Sequence, residues 1–195
     1  MKSRGAIDRL LEGNQRFISG DRIGVLAQWQ PDIMAVSQKP FAAILGCSDS
    51  CVPLEQIFDL GPGEIFVVRV AGNIAGSSEL GSLEYAVKHL GVALILVLGH
   101  EKCDVVKAAL EGGAEGAIAN VIDQIRPAVM PVLDQVEKPM DPWTEAARAN
   151  VWHTMGDLLQ RSEVIADAVK KGDISVEGAM FSFTSGEVSM LEEKG

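Results

Sequence analysis

The sequence predicts an α/β fold: a mostly parallel β-sheet flanked by helices, with a helical arm at its N-terminal side. Short apolar runs with few charges recur at 41–45, 65–70, 93–98 and 176–183. Runs of that length suit strands buried on both faces of a parallel sheet. Helical stretches separate them, which is the alternation expected of parallel strands joined by crossovers. Two of the runs end in glycine and then present soft side chains, at Gly46-Cys47 and Gly99-His100. Chemistry in open α/β sheets collects just beyond the carboxyl ends of the strands.

Composition narrows the class. A chain of 195 residues with 47% apolar content fits one domain, 1–195, whose helix and arm at 1–40 are suited to a subunit interface. Mean hydropathy is +0.17. The net charge of −10 argues against nucleic acid and anionic membrane as partners. No apolar run approaches the ~18 residues needed to span a bilayer. The first eight residues lack the apolar block of a signal peptide, so a cytoplasmic protein is expected. Three cysteines cannot all pair, and all lie beside predicted strand ends. Reduced thiols and metal binding are favoured over a disulfide framework.

In order along the chain, residues 6–19 read as an amphipathic helix with Ile7, Leu10, Leu11, Phe17 and Ile18 on its apolar face, and Gly20 ends it. Residues 21–40 have no strong period, and they read equally as an arm packing on a neighbouring subunit or as a loop over their own core. After the first strand, 54–60 is a short helix and Gly61-Pro62-Gly63 a turn. Ile65 to Val70 is a second buried strand. Ser77 or Ser78 is suited to cap the next helix, with Glu79 in its first turn. That helix runs to about Leu90 and stops at Gly91. The strand ending at His100 follows. Cys103 to Leu110 and Ala117 to Ile125 are helices, the latter ended by Pro127. The four prolines of 127–142 indicate a connection. Helices at 143–160 and 162–170 precede a last core strand, 176–183, and a short edge strand after Thr184-Ser185-Gly186.

Cys47, His100 and Cys103 supply two thiolates and an imidazole, a donor set that zinc prefers in a four-coordinate site. His-x-x-Cys places two ligands on one strand-to-helix turn, and Cys47 comes from a neighbouring strand end. Asp49, two residues on, is within reach of the same ion. A buried lone cysteine is ordinarily a small apolar filler. Two clusters at matched strand ends are harder to assign to chance. His89 and His153 lie on helices without a nearby ligand partner and read as packing or surface residues.

Cys47-Ser48-Asp49-Ser50-x-Val52-Pro53, then Val68-Arg69-Val70-Ala71-Gly72-Asn73-Ile74, then Gly99-His100-x-x-Cys103, closely resemble the β-class carbonic anhydrases. The resemblance extends from about Ala6 to Leu191. It implies zinc held by Cys47, His100 and Cys103, a homodimer or homotetramer embraced by the first helix, and reversible hydration of CO₂ to bicarbonate. In this family zinc acidifies a bound water enough to yield hydroxide near neutral pH. The resemblance further implies that Asp49 is a gating carboxylate. In one form it pairs with an arginine two residues on and accepts a hydrogen bond from the nucleophile. In the other it takes the fourth zinc position.

The chain departs from the family at that arginine, where Cys51 stands. A thiol cannot make the bidentate, charge-assisted pair that a guanidinium offers a carboxylate. Asp49 is then freer to bind zinc, unless Arg69 or another arginine reaches in, and Cys51 is itself a possible ligand. Asp104 after Cys103 is a second departure, read as a solvated carboxylate at a helix start. The expectation is therefore a carbonic anhydrase whose activity is weakened by Cys51. The alternatives are a zinc-binding homologue without catalysis, a hydrolase of carbonyl sulfide or carbon disulfide, and a thiol sensor using Cys47 and Cys51.

Overall fold

The computed structural model describes residues 2–23, 38–133 and 141–192. Most of the 21–40 arm lies outside these residues. A five-stranded sheet runs in the order β2-β1-β3-β4-β5. Its strands are β1 (Ala42–Cys47), β2 (Ile65–Val70), β3 (Leu94–His100), β4 (Ser175–Phe181) and β5 (Val188–Met190). All neighbours are parallel except β4 and β5.

The central strands β1 and β3 are buried along their whole length. Their side chains alternate between two apolar layers, as the pleat requires. Ala43, Leu45, Cys47, Ile95 and Val97 face one layer, while Ala42, Ile44, Leu94, Leu96 and Leu98 face the other. The second layer is closed by α1 (Ser3–Ser19) and the short α2 (Leu54–Ile57). The first is covered by α3 (Ser77–Tyr85, continued by a π turn over Ala86–Leu90), α4 (Asp104–Glu111), α5 (Ala117–Leu133), α6 (Pro142–Arg161) and α7 (Glu163–Lys170). Cys47 thus emerges on the face that also receives Cys103.

Several expectations needed correction. Strand β2 has the predicted bounds, but it is a sheet edge, so only Ile65 and Val68 are buried and Arg69 is exposed. Helix α3 is capped by neither serine; Gly76 is its N-cap, and its carbonyl accepts from the Leu80 N–H at 2.9 Å. Helix α5 does not end at Pro127 but runs through Pro127 and Pro131 to Leu133. Both prolines are exposed, so the Asp123 and Pro127 carbonyls they leave unbonded lie on the outer face. Ile122, Ile125, Val129 and Val132 hold the inner face against the core. Asn14, placed between the apolar positions of α1, is buried. It donates to the Ile57 and Gly186 carbonyls at 3.2 and 2.9 Å and accepts from the Val188 N–H at 2.8 Å.

The start of α6 gives a stability test. The Asp141 carboxylate accepts from the Trp143 and Thr144 amides and from the Thr144 hydroxyl. Those Thr144 bonds, first the hydroxyl and then the amide, hold its pKa below the usual carboxylate range. A depressed folded-state pKa stabilises above the unfolded value and is lost as pH falls through the folded one. Asp141→Ala is expected to cost about 1 kcal/mol at neutral pH. Thermal melts should show that difference shrinking in strong acid.

Candidate metal centre

Three buried side chains meet beyond the carboxyl ends of β1 and β3. The sulfur atoms of Cys47 and Cys103 and one ring nitrogen of His100 lie within 4.8 Å of one another. Cys47 is the last residue of β1, His100 the last of β3, and Cys103 the N-cap of α4. The turn between them has Lys102 at φ +53°, a left-handed conformation that brings the chain round within three residues. Gly99 lets α6 approach behind it. A Cβ there would stand 2.6 Å from Val151 Cγ2 and 2.8 Å from Met180 Sδ.

The imidazole is oriented from outside the cluster. His100 Nδ1 lies 2.8 Å from the Glu101 carbonyl oxygen, which makes Nδ1 the protonated nitrogen. Nε2 is buried and has no hydrogen-bond partner among the described residues. Phe183, which the sequence did not single out, meets the ring edge-on at 5.4 Å.

The two sulfurs are 4.0 Å apart. The Cys103 thiol hydrogen bond, acting with the His100 ring and backbone amides, outweighs burial and lowers the Cys47 pKa to about 4. The same contact, with burial, pushes Cys103 up. The pair therefore gives up one proton readily and holds the second. Burial opposes the charged form of His100, but the nearby Cys47 sulfur and its charge overcome it and raise its pKa. A thiolate, a second thiol and an unpartnered imidazole nitrogen form a soft donor set suited to a thiophilic divalent cation.

Two further contacts hold Cys47. The Gly72 N–H donates to its sulfur at 3.4 Å, and the Gly72 carbonyl accepts from Asn150 Nδ2 at 2.8 Å. Asn150 was missed in the sequence. Its place on α6, four residues after Ala146 and four before Thr154, put it on the buried stripe.

Asp49 is half-buried and stands outside the three-residue cluster. Its Oδ1 accepts from the Cys51 N–H at 2.8 Å. It is close enough for its charge to favour protonated His100. Cys51 is exposed and its thiol is free. Arg69 does reach this loop, but it grips the backbone: Nε donates to the Cys47 carbonyl at 2.9 Å, and the guanidinium also donates to the Asp49 carbonyl. Asp104 is exposed in the first turn of α4. His89 stacks by Tyr85, with ring centroids 5.1 Å apart, and His153 Nε2 lies 4.0 Å from an Asp157 carboxylate oxygen.

Residues 42–188 match the family described as carbonic anhydrase. The chain is similar to carbonic anhydrase 2 of Mycobacterium tuberculosis, 34% identical over an alignment of 201 positions that covers 95% of this chain and 91% of the relative. It is 33% identical to a carbonic anhydrase of Mycolicibacterium smegmatis, covering 95% of this chain and 92% of that protein. Among solved structures, the β-carbonic anhydrase CafA of Aspergillus fumigatus aligns with a TM-score of 0.74 at 29% identity, over 80% of this chain and 76% of that one. The Coccomyxa β-carbonic anhydrase, solved in complex with acetazolamide, aligns with a TM-score of 0.74 at 27% identity, over 96% and 82%. A parallel sheet with these neighbours, and a sequence matched over this length, mean that the chain belongs to the carbonic anhydrase family, in its β class.

Proposed function

We propose that this protein binds one zinc ion through Cys47, His100 and Cys103 and catalyses the reversible hydration of CO₂ to bicarbonate. The observation that carries the reading is the buried, unpartnered Nε2 of His100 facing two sulfurs 4.0 Å apart. Two Zn–S bonds at the tetrahedral angle would put sulfurs about 3.8 Å apart, so the pair needs little movement to share an ion. Zinc bound there supplies Lewis acidity, which makes a water nucleophilic near neutral pH.

The protein's own groups do the rest. The Glu101 carbonyl fixes the imidazole tautomer so that Nε2 carries the lone pair. Gly72 and Arg69 hold the loop that presents Cys47 and Asp49. Asp49, whose charge reaches His100, is the acceptor that would orient the proton of an attacking water, and its carboxylate would govern access of water to the ion. Without an arginine at position 51, that carboxylate is held among the described residues by the Cys51 amide, and slow turnover is expected. The same reading carries assembly into a homodimer or homotetramer, which would cover Ile18 and Tyr85, now 41% and 47% exposed.

Elemental analysis should find one zinc per chain, and stopped-flow measurement should find CO₂ hydration that disappears with the metal. An intact fold with no zinc would overturn the metal assignment. One zinc per chain with no turnover at any pH would overturn the catalytic one. Light scattering should show no stable monomer at micromolar concentration.

A further inference from the structure

Asn150 is a buried amide with an unexplained imbalance. It is 0% exposed, its Nδ2 donates to the Gly72 carbonyl at 2.8 Å, and its Oδ1 has no partner among the described residues. An apolar side chain of the same size would avoid that unmet acceptor. The single bond that the amide does make is therefore what distinguishes it from leucine at this position.

That bond ends on the residue whose N–H donates to Cys47 Sγ. Gly72 sits at φ +71° and is followed by Asn73 at φ +43°, two successive residues in the left-handed region. A glycine between two peptide planes is free to swing either of them. Ile125 Cδ1 fills the space a side chain would need, since it would lie 2.5 Å from a Cβ on Gly72, so the position is held to glycine. Asn150 limits the freedom of that glycine by fixing the plane that carries the Gly72 carbonyl. With that plane held, the preceding plane keeps its N–H aimed at the sulfur.

We infer that Asn150 is a positioning residue for the metal centre, which acts from α6 through Gly72 to hold an N–H donor on the Cys47 sulfur. A hydrogen bond to a ligating sulfur takes charge from it, tunes its bond to the ion and fixes its direction. The inference rests on the proposed zinc site, and its test uses metal binding rather than turnover.

Asn150→Leu removes the donor and the unmet Oδ1 together while keeping the volume, and leaves the buried Gly72 carbonyl as the unmet acceptor in its place. The fold should survive, with a melting temperature of the metal-free protein close to that of the parent. Zinc affinity, measured by competition with a chromophoric chelator, should fall about 10- to 100-fold. In the cobalt-substituted protein the sulfur-to-cobalt charge-transfer band should move to lower energy, because a thiolate without its hydrogen bond gives up charge more easily. Asn150→Ser, shorter and still polar, should give the same two changes and serves if leucine does not pack. A folded variant with parental zinc affinity and an unmoved cobalt band would overturn the role of Asn150 while leaving the zinc site standing. A parent protein that binds neither metal would overturn both.

Discussion

Cys51→Arg is expected to raise the rate of CO₂ hydration at neutral pH by about tenfold or more. Among the described residues the Asp49 carboxylate accepts one hydrogen bond, from the Cys51 amide at 2.8 Å. The Arg69 guanidinium, which reaches this loop, is committed to the Cys47 and Asp49 carbonyl oxygens. The carboxylate is thus free to turn toward the cluster, where it would fill the position a water needs. An arginine at position 51 offers it a bidentate partner on the opposite side. Tenfold needs only ~1.4 kcal/mol of transition-state stabilisation. Cys51 is exposed, so the longer side chain extends into solvent rather than into the core, and the variant should fold. The check is stopped-flow hydration of both forms from mildly acidic to mildly alkaline pH, with zinc content matched. A native protein that is already fast, and unchanged by the substitution, would mean that Asp49 is held by another group.

Removing the metal is expected to have a larger effect, on stability as well as rate. The cluster is 0% exposed at His100 and 2–3% at the two cysteines, so an ion there is bound only by the folded chain. A ligand present at a thousandfold excess over its dissociation constant stabilises by about 4 kcal/mol. For a chain of this size that corresponds to roughly 8–16 °C in melting temperature. Chelation should lower the melting point by that order, and Cys103→Ser should reproduce the loss without a chelator. If the zinc leaves and the melting point stays, the metal contributes nothing to the fold.

The elements that could be read from sequence are those whose environment is uniform. Strands β1 and β3 are buried on both faces, so an unbroken apolar run identifies them. The Cys47, His100 and Cys103 cluster was legible because Cys47 and His100 end their strands and Cys103 lies on the turn after one, and parallel pairing brings those ends together. Environments set by distant partners were not legible. Pro127 and Pro131 read as helix breakers until their exposure on the outer face of α5 is known. The β2 run looks as buried as β1, and only the strand order makes it an edge. Asn14 and Asn150 make their deciding contacts across 172 and 78 positions, a separation at which local pattern carries no information. The Asp49 carboxylate accepts from the Cys51 amide, a contact that residue type alone does not announce.

The bonds of Asn14 also bear on how the chain reaches its folded state. Its amide joins the first helix to Gly186 and Val188, the latter 174 positions later. During synthesis at about 5–20 residues per second, those partners emerge roughly 9–35 s after Asn14 itself. For that interval Ala6 and Leu10 have part of their apolar layer, but the pin that locks the helix to β5 does not yet exist. The bonds that tie α1 to β5 therefore cannot form until the last strand has been made. Until then the apolar face of residues 3–19 lacks part of its final cover, and exposed apolar surface of that kind is what a chaperone, or a sister chain on the same message, meets first.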